Sequence, residues 1–145
     1  MSSQLNVDTI VDKAGSGGTN VKISNTSTYV SENSTTTQNT VPSLAKSWCR
    51  WESIGTASVL DSFNHSSMTD NGTGDQSITI TSAMANTTYL HVGMAGGALR
   101  NLATIQQIEG AYPATTTVQR YQTVYANDNL YDWNSINAAL FGDLA

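Results

Sequence analysis

The sequence predicts an all-β protein, an antiparallel β-sandwich of jelly-roll-like type that follows an extended N-terminal arm. Three observations lead to this fold class. From residue 46 onward, short segments alternate apolar and polar residues; Asn, Asp and Gly turns separate these segments; and large apolar residues are sparse before residue 46. A chain of 145 residues suits one such domain, so we assign residues 1–45 to the arm and 46–145 to the sandwich.

The arm begins with the pattern of a small β-hairpin. Leu5–Val11 and Asn20–Ser24 read as two short strands, and Gly15–Gly18 supplies a turn between them. A two-stranded hairpin is marginally stable alone in water, so we expect it to pack on another surface, such as copies of the same chain. The Ser/Thr-rich run 31–40 has almost no apolar residue to bury, which predicts a segment that is either mobile or held extended against another surface.

The sandwich region contains a series of strand patterns. The first places Trp48 and Arg50 on one face and Cys49 and Trp51 on the other. Only Ala98–Gln107 has a pattern that also suits a helical turn. The segments that we predict as strands are Ser47–Trp51, Ala57–Phe63, Gln76–Thr81 with Ile78 and Ile80 inward, Thr87–Met94 with Leu90, Val92 and Met94 apart from Tyr89 and His91, Thr115–Tyr125 and Asn134–Phe141.

The stretch Asp70–Asp75 has the pattern of a connection between two strands. Gly72 and Gly74 allow the positive φ angles that hairpin turns require. Its carboxylates also suggest a calcium site, but the bidentate Glu of an EF-hand loop is missing downstream, which leaves too few local ligands. A plain turn is therefore the favoured interpretation.

The residues that carry chemistry do not form a known catalytic set. His65 lies near Ser66, Asp61 and Asp70, but no Gly-x-Ser-x-Gly elbow is present. A glycan-depolymerising enzyme would need paired carboxylates, and no spacing pairs Asp61, Glu109, Asp128 and Asp132. We predict no enzyme, no catalytic residues, no cofactor and no metal site, although one histidine can be presented three times around a three-fold axis.

Charge and cysteine content narrow the classes of protein. The net charge of −5 and the scattered six Lys and Arg residues argue against nucleic-acid binding. The apolar runs are too short for membrane insertion, and the N-terminus lacks the basic and apolar regions of a secretory signal. The single cysteine, Cys49, excludes an internal disulfide and is expected to be a buried, inert thiol.

Aromatic residues are the candidates for recognition. Strand aromatics in a sandwich belong more often to the core than to subunit contacts, but exposed aromatic rings also stack on sugars. A carbohydrate-binding module would carry such rings on its loops. Tyr112, Tyr131 and Trp133 are therefore our candidates for receptor contact.

Four strings between residues 45 and 84 form a recognisable block. They are Ala45-Lys-Ser-Trp48, Thr56-Ala-Ser-Val-Leu-Asp-Ser-Phe-Asn64, Ser67-Met-Thr-Asp-Asn-Gly-Thr-Gly-Asp75 and Ile78-Thr-Ile-Thr-Ser-Ala-Met84. Together they resemble a repeated block in fibre proteins of marine tailed bacteriophages. The chain ends with a further string of this kind, Ala138-Ala-Leu-Phe-Gly-Asp143, and its start, Leu5-Asn-Val-Asp-Thr-Ile10 with Ala14-Gly-Ser-Gly-Gly18, is similar to the virion-proximal leader of the same proteins.

The resemblance covers most of residues 1–15, 45–90 and 134–145 and leaves 95–125 without an anchor. This chain departs from the block at a few positions, which affects packing rather than a catalytic set. Cys49 and Trp51 replace a pair such as Val and Phe, His65 and Met68 replace Val and Ile, and Gln76 replaces an aromatic residue.

The resemblance implies a structural protein on the exterior of a virion, typically a homotrimer, whose N-terminal arm attaches to other virion proteins of tail or head. A short tail fibre or appendage with a role in host attachment is our first hypothesis. The alternatives are a module that binds host-surface glycans and a capsid decoration protein. The candidates for virion attachment or inter-chain contact are the apolar arm residues Leu5, Val7, Ile10, Val11, Val21 and Ile23.

Overall fold

The computed structural model describes residues 28–30, 37–39, 43–97, 103–107, 110–125 and 128–145. The chain divides into two compact units, Met1–Val41 and Pro42–Ala145. In the first unit, β1 (Thr28–Val30) pairs antiparallel with β2 (Thr37–Asn39). The predicted hairpin of the arm lies outside the described residues, and so do the six proposed attachment residues Leu5, Val7, Ile10, Val11, Val21 and Ile23.

The second unit is an antiparallel β-sandwich, which confirms the predicted fold class. Its described residues contain no helix and form two four-stranded sheets. The strands are β3 (Ala45–Glu52), β4 (Ser58–Phe63), β5 (His65–Gly72), β6 (Asp75–Ile80), β7 (Leu90–Gly96), β8 (Ala103–Gln107), β9 (Val118–Tyr125) and β10 (Ser135–Phe141).

The strand order is β4-β3-β10-β7 in the first sheet and β5-β6-β9-β8 in the second, with every pairing antiparallel. Hairpin pairings therefore join β3 to β4, β5 to β6 and β8 to β9. The pairings of β10 with β3 and of β6 with β9 connect strands that are distant in sequence. Eight strands in two sheets is also the strand count of a jelly roll.

Asn64 carries the chain from the first sheet to the second, between β4 and β5. Its φ is 53°, a left-handed conformation that asparagine tolerates better than most residues. The side-chain amide donates hydrogen bonds to the carbonyls of Lys46 (2.9 Å) and Ser82 (3.1 Å), and Asn64 Oδ1 accepts one from the backbone N–H of Ser82 (2.7 Å). One side chain thus fixes the corner between the two sheets.

The core lies between the sheets, where the period of two predicts it. Trp51 and Ile136 are fully buried, and Cys49, Ile78 and Ile80 are nearly so. This confirms the predicted inward orientation of Ile78 and Ile80 and the predicted burial of Cys49. The core consists of two clusters, one formed by Cys49, Trp51, Ile78, Tyr121, Trp133, Ile136 and Ala138, and the other by Ile80, Met84, Tyr89 and Leu140.

The stretch Ala98–Gln107 differs from the helical alternative in the residues that the structure describes. Ala103–Gln107 forms β8, which pairs with β9 from Ala103 opposite Tyr125 to Gln107 opposite Tyr121. Ile105 packs against the core from this strand. The hydrogen bonds to β9 and the burial of Ile105 outweigh the local pattern, as tertiary context commonly does.

Candidate interaction surfaces

Each sheet turns one face toward the core and one toward solvent, and the two solvent faces differ in chemistry. In the first sheet the outward side chains include a set of large apolar residues, with Asn137 and Glu52 among their polar neighbours. In the second sheet they are hydroxyls, amides and one ion pair. We call them the apolar face and the polar face. The apolar face consists of Trp48, Phe63, Leu90, Val92, Met94, Ala139 and Phe141 together with Arg50 and Asp61, and the polar face of Thr69, Asn71, Asp75, Ser77, Arg120 and Gln122.

One continuous apolar row crosses the first sheet. Phe63 lies opposite Trp48, Trp48 opposite Ala139, and Ala139 opposite Val92. Residues directly opposite each other on antiparallel strands project from the same face. Phe63 is 54% exposed, Trp48 38% and Val92 44%, so the row faces solvent along its length.

Edge strand β7 extends this row in both directions. Leu90 lies opposite Phe141 and Met94 opposite Asn137, and both Leu90 and Met94 are largely exposed. Between Trp48 and Met94 the small side chain of Ala139 leaves a depression of about 360 Å³ in the sheet surface. The apolar face therefore carries both projecting side chains and a hollow.

The charged residues of the apolar face balance each other. Arg50 on β3 lies opposite Asp61 on β4 in the strand register, and both are exposed. Because they carry opposite charges, the apolar face as defined has no net charge. This is unlike the whole chain, whose net charge is −5.

The polar face is built around the Asp75–Arg120 ion pair. Arg120 Nε donates to Asp75 Oδ1 at 2.7 Å and Nη2 donates to Oδ2 at 2.8 Å. The hydrogen bonds from Arg120 hold the pKa of the Asp75 carboxyl below its usual range, against the opposing effect of burial. Asn71 Nδ2 adds a bond to Ser77 Oγ at 2.9 Å, so the polar side chains form a connected network.

Tyr112 covers this ion pair. The guanidinium carbon of Arg120 lies 3.5 Å from the centroid of the Tyr112 ring, a cation–π distance. The Tyr112 side chain is still 48% exposed. An aromatic ring that the protein holds on one side and that remains open to solvent suits stacking on a sugar ring.

The other two receptor candidates lie in the segment that leads into β10. Tyr131 is exposed, and its ring centroid lies 5.0 Å from that of Trp133. The expected exposure of Trp133 is wrong, because its side chain is only 3% exposed and belongs to the core. The backbone N–H of Trp133 donates to Ser53 Oγ at 2.9 Å, and its carbonyl accepts from the Ser53 N–H at 2.8 Å. These two bonds draw the indole inward.

The stretch Asp70–Asp75 forms the predicted turn between β5 and β6. Gly72 has φ 129° and Gly74 has φ 62°, and Asp70 Oδ1 accepts a bond from the Gly72 N–H at 3.0 Å. A Cβ on Gly74 would lie 2.6 Å from the Thr123 carbonyl oxygen and 2.6 Å from the Tyr131 nitrogen. Among the described residues, no group of three or more potential ligands is placed to hold a metal ion.

The two histidines and the cysteine, which carry the reactive side chains, lie in different parts of the sandwich. His91 Nδ1 lies 3.0 Å from the Tyr121 hydroxyl, and burial raises the pKa of Tyr121 above its usual range. Burial also raises the pKa of the Cys49 thiol to about 12, so the thiol stays protonated and unreactive at neutral pH. This agrees with the buried, inert thiol that the sequence predicts. His65 opens β5 at a half-buried position.

Searches against protein-family models, curated protein sequences and solved structures give no match to this chain. In the part of the chain that the structure describes, no helix has the length and hydropathy of a membrane span.

Proposed function

We propose that the chain is a non-enzymatic structural protein on the exterior of a bacteriophage virion, a short fibre or appendage that forms a homotrimer. In this proposal the arm of residues 1–45 attaches it to other virion proteins, and the sandwich projects outward, where it takes part in host attachment. The resemblance to fibre proteins of tailed phages is the starting point, and one observation in the fold supports it.

That observation is the structural role of residues in the two strings, Thr56–Asn64 and Ser67–Asp75, that carry the resemblance. Asn64 forms the corner between the sheets, Gly72 and Gly74 form the β5–β6 turn, and Asp75 holds Arg120. These four residues of the two strings Thr56–Asn64 and Ser67–Asp75 thus build part of the framework of the sandwich. A string that specifies a stable module is what a fibre assembled from similar modules needs, and this supports a structural role.

The location of the protein tests the proposal. Antibodies raised against the purified protein, followed by immunogold microscopy on particles of the virus that encodes it, are expected to label the particle exterior. Labelling on tail appendages supports a fibre, and labelling over the head supports the decoration protein. Particles without label, combined with protein detected only in lysed cells, would contradict the virion assignment.

Attachment through the arm has its own test. Deletion of residues 1–25 is expected to abolish incorporation into particles while the sandwich still folds. The deletion variant and the full chain are compared by mass spectrometry of purified particles and by circular dichroism of the free proteins. Unchanged incorporation would contradict the role that we propose for Leu5, Val7, Ile10, Val11, Val21 and Ile23.

Recognition of a host-surface glycan is the second candidate function, and the Tyr112 ring favours it. A glycan array is the direct test, with Tyr112→Ala and Tyr131→Ala compared with the unchanged chain. Loss of binding only in Tyr112→Ala supports a sugar site on the polar face. Trp133→Ala is unsuitable for this purpose, because Trp133 is a core residue.

A further inference from the structure

The apolar face of the first sheet has the features of a protein interface. We propose that copies of this chain contact each other through this face, so that the apolar faces lie inside the assembly and the polar faces outside. This inference rests on the homotrimer of the proposed function and identifies the surface that would form it.

The amount of exposed apolar surface is the first argument. The row Phe63, Trp48 and Val92 and its neighbours Leu90 and Met94 are 38% to 70% exposed. With ordinary side-chain areas they expose on the order of 500 Å² of contiguous surface, in the range of the largest patch on a monomeric protein, which is often a functional surface. A stable interface buries about 800 Å² on each partner, so the patch can supply the core of one.

Charge favours a second copy as the occupant. Two chains that each carry a net charge of −5 repel each other across most orientations. The apolar face carries little charge, because Arg50 and Asp61 have opposite charges and are neighbours in the register, and Glu52 at the end of β3 is the remaining outward carboxylate beside it. Copies therefore meet less like-charge repulsion through this face than through the rest of the surface.

The apolar face has both projecting side chains and a depression. The depression over Ala139, which Trp48 and Met94 flank, has a volume of about 360 Å³, which is large enough for one apolar side chain. Phe63 and Leu90 project from the same face and are more than half exposed. The face thus holds both the side chain to be inserted and the hollow to receive it, as contacts between identical chains require.

The edge strand β7 borders the apolar face. Edge strands are commonly protected by bulges or charged residues. The register of β4 against β3 shifts between Arg50 and Trp51, and β4 carries Asp61. By contrast, β7 pairs with β10 without interruption from Gly96 to Leu90 and contains no Lys, Arg, Asp or Glu. Strand β7 itself therefore carries neither of these two protections beside the apolar face.

The experiment places one charge on each face of the full-length protein. Val92→Glu puts a carboxylate in the apolar row, and Thr69→Glu is the matched control on the polar face, since Thr69 is exposed on an edge strand opposite Ser77. Light scattering coupled to size exclusion is expected to give about three times the chain mass of 15.4 kDa for the unchanged chain and for Thr69→Glu. The mass of Val92→Glu is expected to fall to that of one chain.

The other outcomes overturn the inference. An unchanged chain that is monomeric means that another segment or another protein covers the face, and an oligomeric Val92→Glu means that the copies contact elsewhere. If Val92→Glu fails to fold by circular dichroism, Met94→Glu replaces it, because Met94 is 70% exposed and contributes little to packing. Labelling of particles decides the virion assignment separately, so the two proposals can fail independently.

Discussion

The two sheets of the sandwich enclose one core, but they differ in the residue types at their outward positions. On β9, inward Tyr121 alternates with outward Arg120 and Gln122, the usual pattern of a half-buried strand. On β7 the large apolar residues point outward, and His91 and Gly93 point inward. The comparison teaches that alternation tells which residues share a face, whereas the orientation of that face depends on the partner sheet.

The inward side of β7 explains this inversion physically. His91 is paired with the Tyr121 hydroxyl, so its polar ring is satisfied inside. A Cβ on Gly93 would lie 3.1 Å from the Ile105 side chain, so the glycine lets β8 approach. Small and hydrogen-bonded residues therefore fill the inner side, and Val92 is left outside.

The largest expected effect comes from a comparison of two tryptophans on strand β3, Trp51 in the core and Trp48 on the apolar face. Trp51→Ala removes a fully buried indole and is expected to lower the free energy of unfolding by about 3–5 kcal/mol. Trp48→Ala, made in the Val92→Glu background to exclude association, is expected to cost less than half as much. Urea unfolding followed by circular dichroism measures both variants. Equal losses would contradict the placement of Trp48 on a solvent face.

The next effect tests how the second sheet is held together. Gly74→Ala is expected to lower the free energy of unfolding by roughly 3 kcal/mol, because Gly74 has φ 62° and its Cβ would meet backbone atoms of Thr123 and Tyr131. Gly96→Ala on β7 is the control, since a Cβ there contacts nothing within 4 Å. Thermal unfolding should leave Gly96→Ala within about 0.5 kcal/mol of the unchanged chain. A similar loss in both variants would contradict the close approach at Gly74.

A smaller effect distinguishes the carboxylates of the two faces. Asp75→Asn breaks a hydrogen-bonded ion pair and is expected to cost about 1–2 kcal/mol at pH 7, whereas Asp61→Asn on the apolar face is expected to be nearly neutral.

The pH dependence follows from the pKa of Asp75, which is lowered in the folded state. The stabilisation is fully present above the unfolded pKa of about 3.9 and is lost as the pH falls through the folded value. The gap between the unchanged chain and Asp75→Asn is therefore expected to close below about pH 4. Urea unfolding at pH 7, 5, 4 and 3 measures this gap, and a gap that widens toward acid pH would contradict the ion pair.

The smallest effect concerns the ring above that ion pair. Tyr112→Ala removes the cation–π contact with Arg120 and is expected to cost about 0.5–1 kcal/mol, while Tyr112→Phe keeps the ring and most of the stability. Thermal unfolding of the two variants measures the difference. Equal stability of Tyr112→Ala and the unchanged chain would show that the contact contributes nothing to the fold.

The sequence predicts the sandwich well because its evidence is local. Turn glycines specify the β5–β6 turn, and the alternation of Gln76–Thr81 specifies the inward Ile78, without reference to the partner sheet. Strand β5 was not among the predicted strands, because His65–Gly72 is mostly polar and exposed. Features that depend on residues distant in the sequence were not predicted. Trp133 is buried through its bonds with Ser53, and Ala103–Gln107 is a strand because β9 pairs with it. Neither partner can be identified from the residues nearby.

The polar face was not predicted as a unit for the same reason. Asp75 and Arg120 are 45 residues apart, and only the pairing of β6 with β9 brings them together. Gln76, Gln119 and Thr123 are fully buried although their residue types favour the surface. Gln76 lies two residues from Ile78, and Gln119 and Thr123 lie two residues from Tyr121, so the period of two in a strand was the signal that could have placed them inside.

The accessibility of Trp48 tests most directly whether the apolar face is covered by copies of this chain. Trp51 and Trp133 are buried in the core, whereas Trp48 is the third tryptophan and lies on the apolar face. Acrylamide quenching is measured for the full chain and for Trp48→Phe, and the difference between the two fluorescence signals isolates the contribution of Trp48. We predict that Trp48 is shielded in the unchanged chain and in Thr69→Glu and becomes accessible in Val92→Glu. Equal quenching of Trp48 in all three proteins would contradict the account.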